Sequence, residues 1–377
     1  MLIPGASAPG YIRPPLPGLR YAIIRIPRNF TTCASSLYLR SFATGLLPPE
    51  TPIVTPDFLP TADLETLRFR ARVLAAIRQF FDLRDHFEVD TPLLSQDRVI
   101  DSNIEPFVIP RAISGRDLFL QTSAEFAMKR LLVAGAQAIY QLDKVFRQGE
   151  RGERHNPEFT MVEWYAVDTD HHQQMQCTEE LVRYVFQLSP VRQLPAEPFR
   201  RSTYQDAFQR QLGIDVLSSA TAALIDVAQQ RGINCPLSLA DDDRDGWLNL
   251  LLAELIEPHL GREVPEFLFN YPPSQAALAR VRSGPPAVAE RFELYLDGIE
   301  LCNGYHELAD PEELRERIRH AWTTREGDPP VSSRLLQAME NGLPPCSGVA
   351  LGVDRLVMLA AGKTRLDEVI AFPIERC

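Results

Sequence analysis

Chemistry is most legible in the stretch from Val145 to Tyr165, VFRQGERGERHNPEFTMVEWY. From Arg147 to Asn156 it is polar and charged, with Gly149 and Gly152 marking a loop. From Phe159 to Tyr165 it alternates with period two, which predicts a strand. On that strand Phe159, Met161, Glu163 and Tyr165 share one face, and Thr160, Val162 and Trp164 the other. The first face lines up an aromatic ring, a carboxylate and a phenol, as the floor of a pocket would. The second is apolar enough to lie on a core. Arg147, on the preceding loop, can offer phosphate a planar bidentate fork. A solvated surface hairpin would read in the same way, and a short motif alone does not separate the two.

A second group of candidates lies in RFELYLDGIELCNGYHEL. Asp297-Gly298 suits a two-residue hairpin turn, so Leu296 faces Ile299 and Tyr295 faces Glu300. Glu293 and Glu300 then become near neighbours on one side of adjacent strands. Two such carboxylates repel unless a cation lies between them, and a divalent metal is the natural one; a wet outer face would screen them instead. Strict alternation puts Asn303 and Glu307 on the other side, so one shared site requires a bend at Gly304. Further on, SGVALGV reads as a Gly-flanked strand opening into a helix near Asp354. Arg355 falls in that helix's first turn, where the dipole favours an anion. Pairing with a carboxylate would also account for it.

The elements that must position these residues follow from periodicity. Thr61 or Asp63 can cap a helix along which Leu64, Leu67, Ala71, Leu74, Ile77 and Phe81 recur at helical spacing. FEVDTPLL predicts a short strand stopped by Pro92, DLFLQTS a strand, AEFAMKRLLVAG a helix ending at Gly135, and QAIYQLDKVF another strand. Short loops between such strands predict an antiparallel sheet in an α+β fold. Residues 171–261 read as a mostly helical insertion, with DDDRD at 241–245 a solvated loop. EELRERIRHAW and RLLQAMENG are helical.

At 377 residues, 45% hydrophobic and 24% charged, the chain can bury a large core. A net charge of −11 argues against a nucleic-acid protein held by long-range electrostatics. The six cysteines are scattered without a CxxC, which fits free thiols in a reducing cytosol. No apolar run reaches the length of a membrane span. Residues 1–60 are set apart: proline-dense, without an acidic residue before Glu50, and with arginines at 13, 20, 25, 28 and 40. They read as a disordered leader ahead of a catalytic domain at 61–377, although an Arg-rich, acid-free leader can also be a transit peptide.

The strand ending at Pro92, the stretch FRQGE…HNPEFTMVEWY and the segment GVDRLVML resemble motifs 1, 2 and 3 of class II aminoacyl-tRNA synthetases. TSAEFAMKRL, RHNPEFTMVEWY and IELCNGYHEL are similar to the lysyl subgroup. No anticodon-binding barrel fits in the sixty residues before the core, so the chain most resembles the truncated elongation factor P–lysine ligases. That resemblance implies a class II synthetase catalytic fold, a cytoplasmic homodimer, and use of ATP and Mg2+. It implies activation of lysine or (R)-β-lysine as an adenylate and transfer to a lysine of elongation factor P, without stable tRNA binding. Arg147 and Arg355 would be catalytic. Gln148, Gly149, Glu150, His155, Asn156, Phe159, Glu300, Leu301 and Gly352 would join them in binding ATP, with Phe159 stacked on adenine. Ser123, Ala124, Glu125, Tyr165, Asn303 and Glu307 would bind the amino acid, and Glu293 and Glu300 the metal. Two positions depart from the lysyl pattern. Gly149 replaces a Glu whose part Glu150 could take, and Cys302 replaces a Gly, which would reshape the amino-acid pocket. A lysyl-tRNA synthetase relic and a catalytically inactive amino-acid sensor are the competing readings. The second would have lost its phosphate arginines or metal carboxylates, and all four are present.

Overall fold

A computed structural model describes residues 56–97, 104–113, 115–322 and 333–377. Most of the expected leader lies outside the described residues. The described remainder of it, from Pro56, is tied to the C-terminal end: Thr61 N–H donates to Ala371 O at 2.9 Å, and Arg376 to Leu59 O at 2.7 Å.

Helix α1 (Leu64–Asp82) starts where Asp63 caps it, its carboxylate accepting from Thr66 N–H at 2.7 Å. The expected strand around Pro92 is two short ones, β1 (Phe87–Glu88) and β2 (Leu94–Ser95), because proline cannot continue the ladder. Then come β3 (Val108–Ile113), which the sequence pattern did not announce, β4 (Arg116–Leu120), α2 (Glu125–Val133), β5 (Ala138–Phe146) and β6 (Glu158–Val167). The stretch expected to be a helical insertion contains α3 (His171–Phe186), α4 (Tyr204–Leu212), α5 (Thr221–Gln230) and α6 (Arg244–Leu251), with strand β7 (Arg200–Thr203) among them. The chain continues through β8 (Glu266–Tyr271), β9 (Val281–Arg282), β10 (Val288–Leu296), β11 (Ile299–His306), α7 (Pro311–Trp322), α8 (Arg334–Glu340), β12 (Cys346–Gly352) and α9 (Val353–Ala360).

The fold is α+β. A nine-stranded sheet runs in the order β1-β5-β6-β12-β11-β10-β8-β7, with β9 on β10, and a small sheet β2-β4-β3 stands beside it. Its interior pairs are antiparallel, as expected, but the two ends are not: β1 joins β5 and β7 joins β8 in parallel. One face of the sheet carries the main core, where α1, α3 and α9 pack on Val162, Trp164, Leu294 and Leu351. Helices α4 to α6 gather a second core against β8 and β10 around Tyr204, Trp247 and Tyr271. The other face of β6, β11 and β12 stays open as a cavity.

Candidate active site

The floor of this cavity is β6, and the alternation read in the sequence holds. Phe159, Met161, Glu163 and Tyr165 line the cavity, whereas Val162 and Trp164 are fully buried in the core behind it. The ring of Tyr165 has room only because residue 348 on β12 is glycine, since a Cβ there would stand 2.1 Å from the ring.

The other wall depends on an irregularity in β11. Asp297 and Gly298 both take positive φ (55° and 71°), as a tight hairpin turn needs, and Tyr295 pairs with Glu300. The register then slips: Leu294 pairs with Cys302 and Glu293 with Asn303. One extra residue on β11 is a β-bulge, which resets the alternation. Glu300 therefore shares a face with Asn303, Tyr305 and Glu307, and all four line the cavity. The expected bend at Gly304 is not what achieves this. Gly304 continues the ladder opposite Phe292, whose ring lies where a Cβ would be. Leu301 and Cys302, the bulge residues, border the cavity but belong to the core. The Cys302 thiol is 2% exposed, and its pKa is pushed well up by burial and by Glu300.

Cations gather at one end. Arg147, Arg154, His155 and Arg355 line the cavity there, together with Glu150, Gly352 and Glu300. Helix α9 is fixed by Asp354, which accepts from Thr160 N–H at 3.1 Å and pairs with Arg70 at 2.6 Å. Arg355 then donates to the Glu300 carbonyl at 2.8 Å and reaches its carboxylate at 3.4 Å. It also donates to His155 Nε2 at 2.7 Å. An arginine only donates, so His155 Nε2 accepts and the ring is neutral; burial and Arg355 lower its pKa accordingly. Arg147 stands 5.1 Å above the Phe159 ring and 3.5 Å from Glu150. Gly149 adopts φ +82°, a conformation glycine takes without strain. Glu150, rather than position 149, presents a carboxylate to the cavity.

Carboxylates gather at the other end. Glu125, Glu163 and Glu307 line it beside Tyr165, and Asn303 falls between Glu307 and Glu300 on the same face of β11. The ammonium of Lys129, 2% exposed, lies 2.7 Å from Glu125 and 2.5 Å from Glu307. Burial works against its charge, and the two carboxylates more than offset that, so its pKa is raised. Glu163 accepts from Ser123 Oγ at 2.9 Å and from Ala124 N–H at 2.7 Å. Burial nevertheless pushes it up to about 7. Burial raises Glu307 as well, so three carboxyl groups meet one ammonium, and this end takes on its full negative charge as a further cation enters. The sequence places Glu163 on the pocket floor without giving it a binding role, and it does not single out Lys129.

Some expected residues stand elsewhere. Gln148 and Ala124 are not among those lining the cavity: Gln148 N–H bonds Glu105 O at 2.8 Å, and Ala124 supports Glu163 from behind. Asn156 borders the cavity, but its amide holds Glu158 O at 2.7 Å and Ile374 N–H at 3.1 Å. Glu293 does not line it either. Its carboxylate accepts from Tyr271 and Tyr295 at 2.6 Å, from Arg291 at 2.5 Å and from Asn303 at 3.3 Å. A third carboxylate, Glu257, bonds Tyr295 OH at 3.2 Å. Burial, Glu293 and Glu300 push it up to about 7, and Glu300 is raised by burial and Glu293. Such a trio is where a hard divalent cation would relieve repulsion, so the residues fit magnesium, with Glu300 nearest the cavity. Glu257 lay unnoticed in a segment read only as helix.

Comparison with known proteins agrees with this geometry. The family model of class II tRNA synthetases (D, K and N) matches residues 59–376. Relatives named elongation factor P–(R)-β-lysine ligase include one from Vibrio vulnificus, 45% identical over 84% of this chain and 98% of the relative. Those of Yersinia enterocolitica and Haemophilus ducreyi are 44% and 42% identical, over 85% of this chain and 99% and 97% of theirs. With its fold, its cavity and these relatives in agreement, the chain belongs to the class II tRNA synthetase family and, within it, to the elongation factor P–(R)-β-lysine ligases.

Proposed function

We propose that this chain uses ATP to activate (R)-β-lysine, or lysine, and transfers it to a lysine side chain of elongation factor P. The observation that carries the reading is the division of one cavity, about 310 Å³, into a cationic and an anionic end. The cationic end suits a triphosphate, and Phe159 offers a flat surface for a base. The anionic end suits a molecule with two ammonium groups, which lose water on entry and need acceptors there. Asn303 lies near the middle, where a substrate carboxylate would point toward the phosphates.

In the first step the substrate carboxylate attacks the α-phosphorus and pyrophosphate leaves. The carboxylate is itself the nucleophile, so no general base is needed, and the protein's part is positioning and charge stabilisation. Arg147 and Arg355 oppose the charge that builds on the phosphates. Magnesium, held by Glu300 with Glu293 and Glu257 behind it, would neutralise phosphate charge. In the second step the amine of the acceptor lysine attacks the acyl carbonyl, an amide forms, and AMP departs. The reading extends to a homodimer in the cytoplasm. The dimer is supported by the exposed apolar side chains of Leu94, Val108 and Ile113 on the small sheet, and the location by the resemblance to the ligase family alone.

Intact-mass measurement of elongation factor P tests the transfer. With enzyme, ATP, magnesium and (R)-β-lysine, the factor should gain one β-lysyl unit. An unmodified factor alongside acylated lysine tRNA would contradict the reading.

A further inference from the structure

Behind the cavity, on the opposite face of the same strand, lies a second polar cluster. Tyr305 and Glu307 point into the cavity, so His306 between them points back toward α3. There it meets His171, the first residue of α3, and Glu290 on β10. One ligand atom from each of the three lies within 4.8 Å of the other two, and His306 Nδ1 is 2.9 Å from Glu290 Oε2. His171 is 4% exposed, and neither of its ring nitrogens has a hydrogen-bond partner. A buried imidazole with both nitrogens unsatisfied is costly and calls for a ligand.

From this we infer a metal site at His171, Glu290 and His306 for a zinc-like divalent transition ion, separate from the ATP-side carboxylates. Two neutral imidazoles and one carboxylate form a donor set such ions take, with a further position left for water. Two features oppose a cation. Arg280 and Arg282 pair with Glu290 at 2.7 and 3.7 Å, but both guanidinium groups are half exposed and can turn to solvent, whereas Glu290 cannot. The positive end of α3 is nearby, but Asp170 caps it and sets a carboxylate beside both histidines. An ion here would tie the start of α3 to the β10–β11 hairpin, and so stiffen from behind the strand that carries Asn303 and Glu307.

Cobalt(II) and zinc(II) titrations of the full chain, stripped with a chelator and kept in magnesium, test the site. One equivalent of cobalt should give the intense visible bands of a low-coordinate nitrogen–oxygen site, and zinc should displace it and raise Tm. His171→Ala should weaken binding by more than the roughly 10–100-fold that outer-shell partners are worth. Glu290→Gln, which keeps the shape and the arginine contacts, should do likewise. Adenylate formation by His171→Ala in magnesium should stay near that of the wild type. A wild-type chain that shows no such bands overturns the site, as does unchanged cobalt affinity in either folded variant. Because binding is read directly, neither outcome depends on which substrate the cavity takes.

Discussion

Two residues bear most directly on the account. Arg147 approaches the cavity over the Phe159 ring, and its Nε is buried without a hydrogen-bond partner. Removing one such preorganised donor costs ~10²–10³ in rate. Arg147→Ala should therefore lower ATP–pyrophosphate exchange by that factor with little change in Tm. Near-normal exchange would remove Arg147 from the phosphate site. Glu163 carries a pH signature. Its pKa rises from 4.5 to about 7 on folding, so between those values the folded chain holds a proton that the unfolded chain has released. The stability this contributes is fully present below about 4.5 and is lost as pH rises through about 7. Tm should thus fall over that window in the free enzyme, and Glu163→Gln should flatten the fall. A substrate ammonium needs the ionised form, so KM for the amino acid should drop as pH passes about 7. A Glu163→Gln variant whose Tm tracks the wild-type slope would contradict this.

Among the elements, the alternating pattern of β6 and the Asp297-Gly298 turn were legible in the sequence, because side-chain period and turn chemistry are local properties. The bulge in β11 was not. One extra residue leaves no compositional mark, yet it decides which face Glu300, Asn303 and Glu307 share. Glu293 stands deeper than its strand pattern implies, for a related reason. Sharing a strand face placed it near Glu300, but the tyrosines and arginine that enclose it come from β8 and β10, and Tyr271 is distant in sequence. Gly348 shows how tightly neighbouring strands set the floor. Gly348→Ala would press a Cβ into the Tyr165 ring, and overpacking of this kind costs about 1–3 kcal/mol. The variant should have a lower Tm and a raised KM for the amino acid, with KM for ATP nearly unchanged. If the amino-acid KM holds, Tyr165 is not part of that subsite.

At the scale of the whole molecule, the catalytic unit begins earlier than the helical pattern alone suggests. Leu59 and Thr61 bond to the C-terminal segment, and the family match starts at residue 59. A chain begun at Thr55 should melt cooperatively and keep exchange activity, whereas one begun at Ala62 should melt at a lower temperature; equal melting would show those contacts to be idle. The central claim is that one cavity joins a phosphate end to a diamino end. It is tested most directly by ATP–pyrophosphate exchange with (R)-β-lysine, α-lysine and an analogue lacking the side-chain amine. Exchange should be strong with a diamino acid and nearly absent with the analogue, because Lys129 alone would then face Glu125, Glu163 and Glu307, with no second cation to balance them. Equal exchange with the analogue would contradict the account.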